Sequence, residues 1–152
     1  MDLRAELLPP VFAPARLDEL RNAIERVAEL WERGDGDEVA RAVATFNADT
    51  GHSYTAVDFI EFAGWRDRDD FVKEAARPAW PRVPDVTSAE LAEVVRRIQA
   101  GDPETDYYVL LFRANVGDPN AVDLIFHPPA HLEHADAEEI VAAALAYRPI
   151  AL

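Results

Sequence analysis

Three histidines, His127, His131 and His134, crowd the C-terminal part of the chain, with Glu133 among them. Neutral imidazole suits zinc, copper or nickel, and a carboxylate can supply a fourth ligand. Spacings of four and three would align the rings on one helical face. Pro128 and Pro129 stand between the first two, however, and no continuous helix passes through them. Only a loop could gather the set. Solvated loop histidines are the simpler reading, so no metal is expected. The Asp35-Gly36-Asp37 turn lacks the spaced ligands of a calcium loop and reads as a helix stop. Nucleophilic chemistry has little to work with. Ser88 falls in a helix cap, and Ser53 adjoins His52, a pair that lacks the third group needed to orient base and hydroxyl. The carboxylates Asp67, Asp69 and Asp70 gather at a helix start, where acids complement the helix dipole. The six glycines are scattered and form no phosphate loop. With no cysteine, disulfides, thiol catalysis and cysteine-ligated zinc are excluded. These residues point to no enzyme and no cofactor.

The charge balance points to a partner instead. The chain has 152 residues, 49% of them apolar, enough for one sizeable core or two small ones. Twenty-nine acidic against 15 basic residues leave a formal charge of −14. Nucleic acid and anionic membranes both call for basic residues, so neither is an expected partner. An acidic surface favours solubility and a basic protein partner. No apolar run approaches the ~20 residues of a membrane span. Met1-Asp2-Leu3-Arg4 opens the chain without the basic start and apolar stretch of a signal peptide. A soluble, cytoplasmic protein is expected.

Periodicity reads as helix almost throughout. Leu17, Leu20, Ile24, Val27 and Trp31 form an amphipathic stripe that ends at Gly34 to Gly36. Val39, Val43 and Phe46 form a second stripe, closed by the turn-prone run Asn47 to Ser53. The apolar stretch Val57 to Phe62 follows, then a helix with Asp69 and Asp70 near its start and Phe71 and Val72 buried. From Ala76 to Pro84 three prolines in seven positions interrupt any helix, and Trp80 among them is expected to pack rather than stand free. Thr87 and Glu90 make a capping box that opens a helix bearing Leu91, Val94, Val95 and Ile98, stopped by Gly101. Asp102 and Pro103 read as N-cap and first turn of a helix through Phe112. Tyr107 to Phe112 is also a continuous β-like run, so a strand stays open there. On a helix Tyr107 and Tyr108 point to different faces, leaving at least one exposed. Asp123 to Phe126 is a short segment cut off by proline, and Asp136 caps a last helix with Ala137, Ile140, Val141, Ala144 and Leu145. Phe46, Phe112 and Tyr147 are expected in the core.

The halves share a pattern. Ala56-Val57-Asp58-Phe59-Ile60 matches Ala121-Val122-Asp123-Leu124-Ile125, each after a helix ending in phenylalanine and before an acidic-capped helix ending in Arg77-Pro78 or Arg148-Pro149. Duplication accounts for the match; chance likeness between helical segments is the competing account. The expected fold is all-α: two tandem four-helix halves packed as one unit. Residues 1–16 form an N-terminal extension, 17–78 a divergent half, 79–84 a proline-rich boundary and 85–152 the second half.

The second half resembles the immunity proteins that protect bacteria from nuclease colicins and pyocins. Those are small, acidic four-helix proteins whose third helix is a single turn reading Asp-Leu-Ile-Tyr-Tyr-Pro. Here Asp123-Leu124-Ile125-Phe126-His127-Pro128 stands in that place, with Phe112 and Pro119 at the family's spacing upstream. Asp85 to Ile98 looks like the family's first helix and Ile140 to Arg148 like its last, so the likeness covers residues 83–148. The first half is a weaker match. The resemblance implies that the chain binds a toxic nuclease. In the family a variable second helix chooses the partner, here Thr105, Asp106, Val109, Leu110 and Arg113. The short turn anchors it, here Val122, Asp123, Phe126, His127 and Pro128. Phe126 and His127 replace the family's paired tyrosines and lose both phenolic hydroxyls. Arg113 stands where an acidic residue is common, implying a less uniformly basic partner surface, and the usual family member is one domain rather than two. Phe126 is expected as an exposed apolar contact, with burial in the core as the competing placement. Two other readings remain at this point: a helical regulatory module that kept the fold without nuclease binding, and a metal-dependent enzyme using the histidine loop.

Overall fold

The stripes and caps read from the sequence close into helices, with no strand among the described residues. The structure is a computed structural model describing residues 1–65 and 68–147, with the backbone alone for 62–65. Asp67 of the acidic cluster and the Arg148-Pro149 pair of the repeat lie outside the described residues, as does the side chain of Phe62. The chain divides into two compact units, Pro10–Ala79 and a second made of Met1–Pro9 with Trp80–Leu152. The protein is all-α.

The Pro10–Ala79 unit contains α1 (Pro14–Glu32), α2 (Gly36–Thr50), α3 (Ala56–Trp65) and α4 (Arg68–Ala76). Helix α1 packs against the other three. Its buried stripe is Leu20, Ile24, Val27 and Leu30. The stripe passes through Leu30 at its end, leaving the expected Trp31 51% exposed. Gly34 turns the chain at φ 72°, and Asp35 caps α2 by accepting from the Glu38 amide. Glycine adopts that left-handed backbone without steric cost. Helix α2 buries Val39, Val43 and Phe46, and runs to Thr50 before Gly51 ends it in the left-handed region. Phe46, Phe59 and Phe71 meet with ring centroids 5.2 to 6.2 Å apart, so an aromatic cluster fills this core.

The second unit contains α5 (Ser88–Gln99), α6 (Thr105–Asn115), the single turn α7 (Asp123–Phe126) and α8 (Ala137–Ala146). Helix α5 packs against α6 and α8, and α7 against α8. Both capping boxes form, Thr87 with Glu90 on α5 and Asp136 with Glu139 on α8. Leu91, Val94, Val95, Leu111, Phe112 and Val141 are fully enclosed. Leu145 is exposed and Tyr147 half-buried, so the last helix buries a narrower face than its composition implies.

The extension expected over residues 1–16 is partly core. Leu3 and Leu7 are buried in the second unit, and a 3-10 turn at Ala5–Leu7 sets their spacing. Arg4 between them donates to Asp85 at 2.8 Å and to Glu90 at 2.9 Å, so the guanidinium fastens the segment beside the start of α5.

Candidate partner-binding surface

Helix α6 turns Tyr107, Tyr108, Leu111, Phe112 and Ala114 inward. Thr105, Val109 and Leu110 are half-buried, and Asp106 and Arg113 are exposed. Sequence reasoning required one of the two tyrosines to face solvent, yet they are 2% and 3% exposed. Tyr108 is accommodated because Arg97 on α5 reaches over: its Nη1 donates to the Tyr108 hydroxyl at 2.9 Å and its guanidinium lies 5.6 Å from the ring centroid. That contact satisfies the phenol and makes burial inexpensive. The β-like run from Tyr107 to Phe112 is helix, not strand. The helix begins at Thr105 rather than Pro103 because Asp102 makes a turn of its own. Its carboxylate accepts from the Glu104 amide at 2.8 Å, and its carbonyl accepts from Thr105.

After α6 the chain returns through Pro119 to the turn that carries α7. Ala121 is buried, and Leu124 and Ile125 pack against the core. Asp123 and Phe126, three residues apart, face outward. Phe126 is 50% exposed, so the core placement is set aside. The amides of Phe126 and His127 bond back to Val122 and Asp123, and Pro128 then stops the turn. Val122 and Pro128 are half-buried and His127 exposed. Val109 and Arg113 of α6 and Val122 and Asp123 of the turn line one shallow groove of about 170 Å³. The resemblance assigns residues from both sides of that groove to one contact surface.

A neighbouring hollow shares Arg113 and Pro119 with the groove and is closed by Trp80, which is 57% exposed rather than packed away. Trp80 belongs to this unit, where Asn115, a residue unmarked by any motif, holds the segment that follows it. The Asn115 side chain donates to the carbonyls of Pro81 and Leu111, at 2.9 and 2.8 Å, and accepts from the Val83 amide at 2.8 Å. The end of α6 thus clamps the proline-rich segment at two points.

Charge is unevenly used across the unit. Arg96 pairs with Glu93 and Glu138, and Arg97 with Glu93. Burial pushes the Glu93 carboxyl up, but Arg97 and Arg96 outweigh it and hold the group below its ordinary value. The α5 cations are thereby neutralised in place. Asp106, Asp123 and Arg113 form no ion pair among the described residues. From Val83 to Leu152 there are twelve acidic and four basic residues, a net −8.

His127, His131 and His134 are all exposed, and no group of three or more His, Asp or Glu among the described residues is placed to hold a metal ion. His52 does not turn to Ser53; its Nε2 lies 2.7 Å from the Arg77 carbonyl, to which it donates, and its ring stacks on Tyr54. No described helix is long and apolar enough to cross a membrane. No family model, curated protein or solved structure matches the chain.

Proposed function

We propose that the chain is a bacteriocin-immunity-like protein that binds and inhibits a toxic nuclease domain through the acidic surface of α6 and α7. One observation carries the reading. All ten residues that the resemblance assigns to the contact are exposed or half-buried, while Tyr107, Tyr108, Leu111, Phe112 and Ala121 among them are buried in the core. The surface combines an apolar anchor, Phe126, with the unpaired carboxylates of Asp106 and Asp123. Buried aromatic anchors carry most of the energy of an interface, and unpaired surrounding charge speeds encounter with an oppositely charged partner. A nuclease domain that binds nucleic acid is basic for the reason given above, which makes it the complementary partner.

The proposal extends to the first unit. In each unit the first helix packs against the second and the fourth, α1 against α2 and α4, and α5 against α6 and α8. That shared order supports a divergent duplication, in which the third element is ten residues long in one copy and four in the other. The inhibitor acts in the cytoplasm, where a nuclease toxin would meet its substrate.

The experiment is to purify the nuclease domain of the toxin encoded beside this chain's gene and measure its activity with and without the chain. Stoichiometric inhibition, abolished when the α6–α7 surface is altered, supports the reading. Absence of a neighbouring nuclease gene, or full nuclease activity at saturating chain, contradicts it.

A further inference from the structure

The groove between α6 and α7 does not end at the residues the resemblance supplies. Arg113 and Pro119 also line a second hollow, which reaches Trp80. Tryptophan is among the residues most enriched in interface anchors, and Trp80 presents a large exposed indole from the backbone beside the groove. This backbone is well held. Pro78, Pro81 and Pro84 restrict it, the Arg82 amide closes a turn on the Trp80 carbonyl at 2.9 Å, and Asn115 clamps both Pro81 and Val83. A side chain presented this way loses little freedom on binding. No aromatic or cationic group among the described residues occupies the face of the indole.

We propose that Trp80 is a second anchor for the partner, and that the groove from its ring to Asp123 takes a lysine- or arginine-bearing segment of the nuclease. The proposal rests on the nuclease-binding reading and goes beyond it by adding a residue and a chemistry for the bound segment. Two carboxylates, one in each hollow, against the single arginine that the hollows share select that occupant. Asp118 lines the Trp80 end of the groove and Asp123 the other, with Asp106 on the same outward side of α6 as Val109 and Arg113. A cation on the Trp80 face gains both from the ring quadrupole and from Asp118 nearby. Arg113, unpaired among the described residues, stands between the acids and selects a segment that also offers a carboxylate or carbonyl oxygen. A purely cationic segment would be repelled at that point.

The test titrates the full chain, by calorimetry and together with melting curves, with the nuclease domain of a toxin whose gene is found beside the chain's own. Four proteins are compared: wild type, Trp80→Ala, Trp80→Phe and Trp31→Ala. Trp31 is the matched control, being 51% exposed in the other unit. The expected result is a loss of about thirtyfold or more in affinity for Trp80→Ala, the scale of an anchor truncation, at an unchanged melting temperature. Trp80→Phe keeps an aromatic face and recovers most of the loss, which a purely structural role at an exposed site would not require. Trp31→Ala matches the wild type. Wild-type affinity in Trp80→Ala overturns the assignment of Trp80 while leaving the nuclease reading intact. An equal loss in Trp31→Ala also overturns it. No binding by the wild-type chain overturns both.

Discussion

Arg4 and Glu90, 86 residues apart in sequence, are joined by a 2.9 Å hydrogen bond between Nε and Oε2. Glu90 is at the same time the third residue of α5, and its other oxygen accepts from the Thr87 amide in the capping box. One carboxylate therefore serves both the start of a helix and the attachment of the N-terminal segment. Asp85 holds the other side of the guanidinium at 2.8 Å.

This arrangement predicts a pH dependence. Asp85 sits below its ordinary value chiefly through its hydrogen bond from Arg4. Glu90 is lowered first by the Thr87 amide and then by Arg4. A carboxyl depressed in the folded state contributes stability above its unfolded value, and that stability is lost as pH falls through the folded value. Arg4→Ala should therefore melt at a lower temperature near neutrality, and the gap to wild type should close in acid. Melting curves between about pH 7 and about pH 3 check this. A gap that stays constant over that range would contradict it.

Leu7 is fully enclosed in the second unit although it lies in the first ten residues of the chain. Leu7→Ala should cost about 2–5 kcal/mol, the range for a buried leucine truncated to alanine. Urea denaturation followed by near-ultraviolet signals would measure it. A loss below about 0.5 kcal/mol, typical of an exposed site, would show that the segment is not part of the core.

Asn115 replaces three hydrogen-bond partners for the backbone with one side chain. Asn115→Ala should cost about 1–3 kcal/mol and release the proline-rich segment. Tryptophan fluorescence anisotropy in a chain whose Trp31 and Trp65 are changed to phenylalanine isolates Trp80. Its anisotropy should fall in the Asn115→Ala background and stay high in the parent. Equal values in both would mean the clamp does not hold the indole.

What the sequence made legible was local. The Thr87 and Asp136 caps, the left-handed turns at Gly34 and Gly101 and the Val39–Phe46 stripe each depend on neighbours within a turn or two, and each is present. The readings that failed involve distant groups or a choice between two local geometries. Tyr107 and Tyr108 are both buried, and Arg97 comes from another helix to meet the Tyr108 hydroxyl, which no periodicity reveals. The start of α6 slipped to Thr105 because the Asp102 side chain chose a turn over a cap, two geometries open to the same residue. Leu3 and Leu7 are too few to show a pattern, and their partners lie more than eighty residues on. Trp80 is conspicuous by its type, but the hold on its flanking backbone comes from Asn115, a residue that carries no signal of its own.

Association should carry an electrostatic signature. Asp106→Ala removes an exposed, unpaired charge and should slow binding of a basic nuclease with little change in dissociation. Stopped-flow rates should also fall as salt is raised, since charge at this range is screened within about 8 Å at physiological ionic strength. An on-rate indifferent to salt would argue against an acidic steering surface.

The most direct measurement is calorimetric titration of the chain and its Phe126→Ala variant with the nuclease domain encoded beside the gene, each variant's folding verified by a melting curve. Phe126 is half exposed, so its truncation should leave the melting temperature near wild type. The account predicts a one-to-one complex for the wild-type chain, weakened by about 2 kcal/mol or more in Phe126→Ala. A folded Phe126→Ala variant that binds the nuclease as tightly as wild type, or a wild-type chain that does not bind it, would contradict the account.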